Sequence, residues 1–108
     1  MNLLILNTTT KSIEIKLAGA VTANQLDITA HYADIVDATP GFTEGGNDTA
    51  TNNTTAVTVV AAPAASTRRV VREITIYNKD TASATVTLQY NNNSTIRIIK
   101  VKTLATVS

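Results

Sequence analysis

The chain has no cysteine. That absence removes disulfide staples, a thiolate nucleophile and zinc–thiolate centres together, and leaves the redox compartment open. Leu, Glu and Lys, the usual helix builders, are scarce. No apolar run approaches the ~20 residues of a membrane helix, and the opening Met1-Asn2-Leu3-Leu4-Ile5-Leu6 is too short and too uncharged for an export signal. The expectation is a soluble chain with no membrane partner and no signal of its own. Only one histidine is present, His31, and no serine sits in a strained glycine elbow. With no nucleophile poised by a base, the chain reads as a part that packs and binds rather than a catalyst, and no cofactor is expected.

What is there instead is threonine, the commonest residue, with abundant asparagine. Beta-branched side chains crowd a helix and sit well on a pleated surface, so the bias favours an all-β fold. A length of 108 residues suits one domain, 1–108, with a modest core. Period-2 alternation marks the strands. Residues 2–6 are apolar nearly throughout, either a buried strand or an arm (1–11) that packs on another subunit. Residues 12–17 place Ile13, Ile15 and Leu17 against Glu14 and Lys16. In 25–35, Leu26, Ile28, Ala30 and Tyr32 oppose Asp27, Thr29, His31 and Ala33. From 37 to 54 the pattern vanishes, and Pro40-Gly41, Gly45-Gly46 and several Asn surround a single large apolar residue, Phe42. This stretch reads as a long surface loop that orders against a neighbour.

Residues 55–62 resume a strand, with Val57 and Val59 opposing Thr58 and Val60, and Pro63 ends it because it has no donor for a central ladder. The segment 66–101 then reads as three strands, 70–77, 84–90 and 95–101, joined by the turns Asn78-Lys79-Asp80-Thr81 and Asn91-Asn92-Asn93-Ser94. Two turns between three β-rich runs suggest an antiparallel meander. In the last strand Ile96 and Ile98 call for one face and Ile99 and Val101 for the other, which a bulge near 98–99 would reconcile. The count is about seven strands, at the spacing of an antiparallel β-sandwich.

Charge is unevenly distributed. Residues 1–54 carry six acids against Lys11 and Lys16, net −4, and residues 55–108 carry seven bases against Glu73 and Asp80, net +5. Either the halves face each other within one fold, or copies of the chain meet through opposite charges. A nucleic-acid partner is disfavoured, because the bases are sparse and lack interleaved aromatics. Arg68 and Arg69 follow the Pro/Ala segment and precede a strand, which would expose both guanidiniums at an edge. There they either discourage stray strand pairing or dock into acidic patches. They join Arg97, Lys100 and Phe42 as the candidate partner-binding residues. Asp27, Asp34 and Asp37 are not spaced as a loop that wraps one cation, so they read as a solvated face. Tyr32, Tyr77 and Tyr90 read as core-edge residues rather than a sugar-stacking platform.

The order 13–17, LDITAHYADIV, a Gly/Thr/Asn-rich segment, TTAVTVVAAPAASTRRVVREITIYNKDTASATVTLQ and IRIIKVKTLA resembles a group of small bacteriophage virion proteins found among head, neck and tail components. The most specific part is APAASTRR followed by a strand ending in Tyr77-Asn78 and the Asp80-Thr81 turn, and the resemblance spans residues 12 to 105. It implies a β-sandwich structural protein of a phage particle. Among such parts a small chain without helices or a coiled coil looks most like a capsid decoration (cement) protein on the outer surface. Its partners would be the major capsid protein and copies of itself in a homo-oligomer, with a neck or tail component or a host-carbohydrate-binding module as alternatives.

Overall fold

The computed structural model describes residues 4–36 and 41–106. It is an antiparallel β-sandwich of eight strands, with no helix among the described residues. The strands are β1 (Leu4–Leu6), β2 (Lys11–Leu17), β3 (Asp27–Val36), β4 (Thr43–Ala50), β5 (Val57–Val60), β6 (Thr67–Tyr77), β7 (Ala84–Asn92) and β8 (Thr95–Leu104). One sheet runs β1-β6-β3-β4 and the other β5-β2-β7-β8.

Alternation along each strand supplies the core. Ile13, Ile15 and Leu17 of β2 are buried while Glu14 and Lys16 between them are half-buried, and Ile28 and Ala30 do the same for β3. Leu6, Ile13, Ile15, Leu26, Ile28, Val59 and Val60 are the largest fully buried side chains. Each contributes roughly 1.5–3 kcal/mol by leaving water. β1 is a strand of its own chain, with Leu4, Ile5 and Leu6 paired to Val71, Val70 and Arg69, and Leu6 closed from solvent. Residues 4–6 thus pair within the chain's own sheet, with Leu6 buried and Ile5 half-exposed, and Met1, Asn2 and Leu3 lie outside the described residues.

Two expectations are corrected. Residues 37–54 are not one long loop, because β4 occupies 43–50 and pairs with β3 from Asp34↔Thr43 to Asp27↔Ala50. Its inward positions hold glycine and asparagine where a sandwich usually places aliphatics. The ring of Tyr32 covers Gly45 so closely that a Cβ there would lie 2.7 Å from it, and Asn47 donates its side-chain N–H to the Val59 carbonyl at 2.9 Å. Nor do the strands of 66–101 form a meander. β6 belongs to one sheet and the β7–β8 hairpin to the other, so the Asn78–Asp80 turn crosses between sheets.

That crossing is fixed by side chains. Asn78 accepts the Asp80 amide and donates to the carbonyls of Ala82 and Leu104, while Asp80 accepts backbone N–H groups of Thr22, Ala23, Asn24 and Thr81 at 2.7–3.1 Å. The hydrogen bond from Thr22, with those from Ala23, Asn24 and Thr81, holds the Asp80 carboxyl down at about 2, because they favour its charged form against burial. The β7–β8 turn is a two-residue hairpin in which Asn93 and Ser94 have φ of 52° and 73°, the left-handed pair that matches strand twist. Within β8 the expected bulge is present. Leu88 pairs with Lys100 and Gln89 with Ile98, which leaves Ile99 as the extra residue.

Candidate interaction surface

The sandwich has two unlike flanks. On the first, β4 lies beside β5, and the Asn47–Val59 hydrogen bond laces the two sheets together. Near it, Arg69 sits on an inner strand face in line with Leu6 on one side and Asp34 on the other. Its guanidinium makes a forked pair with the Asp34 carboxylate at 2.8 and 3.0 Å, donates to the Ala61 carbonyl at 2.8 Å, and lies 4.0 Å from the centre of the Tyr32 ring. Hydrogen bonding to Asp34 raises the Arg69 pKa above its ordinary value, against the opposing effect of burial. Arg69 is thus an internal strut, not an exposed edge cation, and its strand is flanked by β1 and β3. The neighbouring Arg68 is exposed on the other face, as strand alternation requires.

The second flank is open. β8 ends its sheet, and a groove of about 270 Å³ opens between the sheets beside it. Its floor is Ile74, Ile76, Val86, Leu88 and Leu104, and Lys100 and Lys102 line its rim. Because Arg97, Lys100 and Lys102 stand opposite Tyr90, Leu88 and Val86, they share the inward side of the sheet yet remain exposed. The other side of β8 is apolar. Ile96, Ile98 and Val101 are 44%, 64% and 54% exposed, beside the ladder in which Gln89 and Asn91 donate to the two oxygens of Glu14.

Of the sequence-predicted residues, the structure brings Arg97 and Lys100 together on β8. It sets Arg69 inside the fold and leaves Phe42 exposed at 63%, just before β4 and away from them. Sequence reasoning missed Lys102 and the apolar triplet Ile96, Ile98 and Val101 as parts of the same surface. The signal was there in the alternation of TIRIIKVKTL, in which cations and aliphatics take opposite sides once the extra residue is counted.

The charge split is met in part within the fold. Arg69–Asp34, Arg72–Glu44 and Lys79–Asp27 each join a base of the second half to an acid of the first. Asp27 and Asp34 fall on opposite faces of β3, and Asp37 lies outside the described residues. His31 faces outward opposite Glu73, above a shallow hollow that Tyr32, Glu44 and Arg72 also line. No group of three or more His, Cys, Asp or Glu is placed to hold a metal ion among the described residues. Tyr32 and Tyr90 pack against the core and Tyr77 is half-exposed. No family model, curated protein or solved structure matches the chain.

Proposed function

We propose that the chain is a structural, non-catalytic component of a bacteriophage particle, a decoration (cement) protein that bridges neighbouring capsomers on the outer capsid. The observation that supports this reading is β8: ten residues long, at the edge of its sheet, with three large aliphatic side chains exposed on one side and three cations on the other. Isolated exposed aliphatics are ordinary, but a row of them along an edge strand is the form of a protein–protein contact. Many copies of one small contact would hold a shell together by multivalency, without high affinity at each. A neck or tail position is the second reading, supported by the same edge.

The test is the composition of purified particles by quantitative mass spectrometry. A copy number on the order of hundreds is expected for a capsid coat, since multivalent bridging needs a contact at each capsomer junction. A dozen or fewer moves the protein to the neck or tail. Absence from the particle overturns both. Particles lacking the protein should also lose resistance to heat and chelator, and unchanged resistance would remove the cement role.

A further inference from the structure

Two edges of the sandwich carry opposite charge at matched spacing. On β4, Glu44 and Asp48 project from the outer face, since Gly45 and Asn47 between them turn inward to Tyr32 and Val59. Their β3 partners are Ala33 and Thr29, four ladder steps apart. On β8, Arg97 and Lys102 stand opposite Tyr90 and Val86, also four steps apart, because the extra residue Ile99 closes up the spacing. Lys100 lies between the two bases as Gly46 lies between the two acids, so the middle cation would meet a residue with no side chain. The side chains of Arg97, Lys100 and Lys102 form no ion pair or hydrogen bond among the described residues. Among the described residues Glu44 is held only by Arg72 at 3.6 Å, with both side chains more than half exposed, a contact of little strength that a new partner can replace.

We infer that β8 of one copy pairs edge to edge with β4 of the next, Arg97 and Lys102 meeting Glu44 and Asp48 and Lys100 passing over Gly46. Main-chain hydrogen bonds between two free edges would supply attraction, and the charges would fix register and partner. The facing follows from the charges. With the acids on the same side as the bases, the neighbour's second sheet falls on the opposite side of β8, which brings its β5 flank toward Ile96, Ile98 and Val101. One contact then uses both sides of β8. Since β4 and β8 lie on opposite flanks, the contact is heterologous and propagates to a ring or a filament rather than closing as a two-fold dimer. The pairing gives detail to the self-assembly within the structural reading above and rests on it.

The experiment is sedimentation velocity on the purified full chain at about 20 mM and about 0.5 M salt, conditions that respectively preserve and screen charge pairing between exposed edges. Self-association is expected at low salt and should fall with added salt. Two double variants then exchange the charges: R97E/K102E on β8 and E44K/D48K on β4. Alone, each should associate at least about tenfold more weakly than wild type, because like charges face across the edge. Mixed in equal amounts they should recover association, as each supplies the edge the other lacks. Circular dichroism and melting of each variant confirm that it is folded. A wild type that stays monomeric at low salt overturns the inference, as does a mixture of folded variants that fails to associate. Association that strengthens with salt and ignores E44K/D48K would do so too, pointing instead to two β8 strands pairing through their isoleucines. Particle composition is read separately, so failure of the virion reading and failure of this pairing remain distinguishable.

Discussion

The flank that carries β4 and β5 and the flank that carries β8 are built from similar numbers of residues but solve the edge problem differently. On the first, β4 is poor in aliphatic side chains and polar geometry compensates: a glycine under Tyr32, an asparagine bonded across the sheets, and an arginine clamped by a carboxylate, a carbonyl and an aromatic face. The second is rich in aliphatic side chains and leaves them unfinished, with Ile98 nearly two-thirds exposed and a groove floored by Ile74, Ile76 and Leu104. Polar groups satisfied inside one chain make that flank self-sufficient. Apolar groups left on a free strand edge leave the other open to pairing. Mutations of the inward residues of the first flank should therefore cost stability, and mutations on β8 should cost assembly.

The largest effect on that contrast is expected from Asp34→Ala. It leaves the Arg69 guanidinium, whose side chain is only 14% exposed, without its carboxylate. Breaking a fully buried pair costs about 3–5 kcal/mol; here Asp34 keeps 24% exposure and the Ala61 and Tyr32 contacts survive, so about 2–3 kcal/mol is expected. Urea unfolding of the variant reads this directly. The same change at the exposed pair, Glu44→Ala, should move stability by less than about 0.5 kcal/mol. Equal losses from the two would mean that the Arg69 strut is not what holds the first flank.

Acid sensitivity comes next, from the end of the sandwich where the sheets are joined. Asp80 has a folded pKa of about 2, below the ~3.9 of an unfolded aspartate. Its contribution is therefore fully present above about pH 4 and is lost as pH falls toward 2. An Asp80→Asn variant keeps the shape but not the charge that four N–H groups address, so it should be less stable at pH 7 and should show a shallower fall between pH 4 and 2. Parallel stability curves for the two proteins over that interval would show that Asp80 is not the titrating group. A smaller loss, about 1–2 kcal/mol, is expected for Asn47→Ala, which strips the donor from the carbonyl of Val59, a residue closed from solvent. If Asn47→Ala unfolds in urea like wild type, the lacing between β4 and β5 is incidental.

How much of this was readable from the residues follows from the same contrast. Where burial is aliphatic, period-2 alternation displayed it: β2, β3 and β7 are visible in IEIKL, LDITAHY and ATVTLQY, and even the extra residue in β8 could be placed near 98–99 because isoleucines crowd both faces there. Where burial is polar, it was hidden. TEGGNDTA has no large aliphatic to alternate, and only the covering Tyr32 ring and the distant Val59 carbonyl make Gly45 and Asn47 inward residues. Arg69 looked like an exposed edge charge because its partner is 35 residues away on a strand whose pairing the local pattern does not reveal. Asp80 looked like a local turn residue and is one, yet three of the amides it binds come from 22–24. The Asn78–Asp80 turn likewise resembled a hairpin, and only sheet membership shows that it crosses between layers.

The smallest expected effect on folding is also the one that separates the flanks most sharply. Ile98→Thr replaces a side chain that is 64% exposed with another beta-branched residue, so the strand propensity is kept and little apolar area is lost on folding. Stability should stay within about 0.5 kcal/mol of wild type. Self-association at low salt should nevertheless weaken, because the side of β8 that faces the neighbour loses its most exposed aliphatic contact. Chemical denaturation and sedimentation on the same sample give both answers. A variant that loses stability while associating normally would reverse the assignment, making Ile98 part of the core and β8 a strand complete without a neighbour.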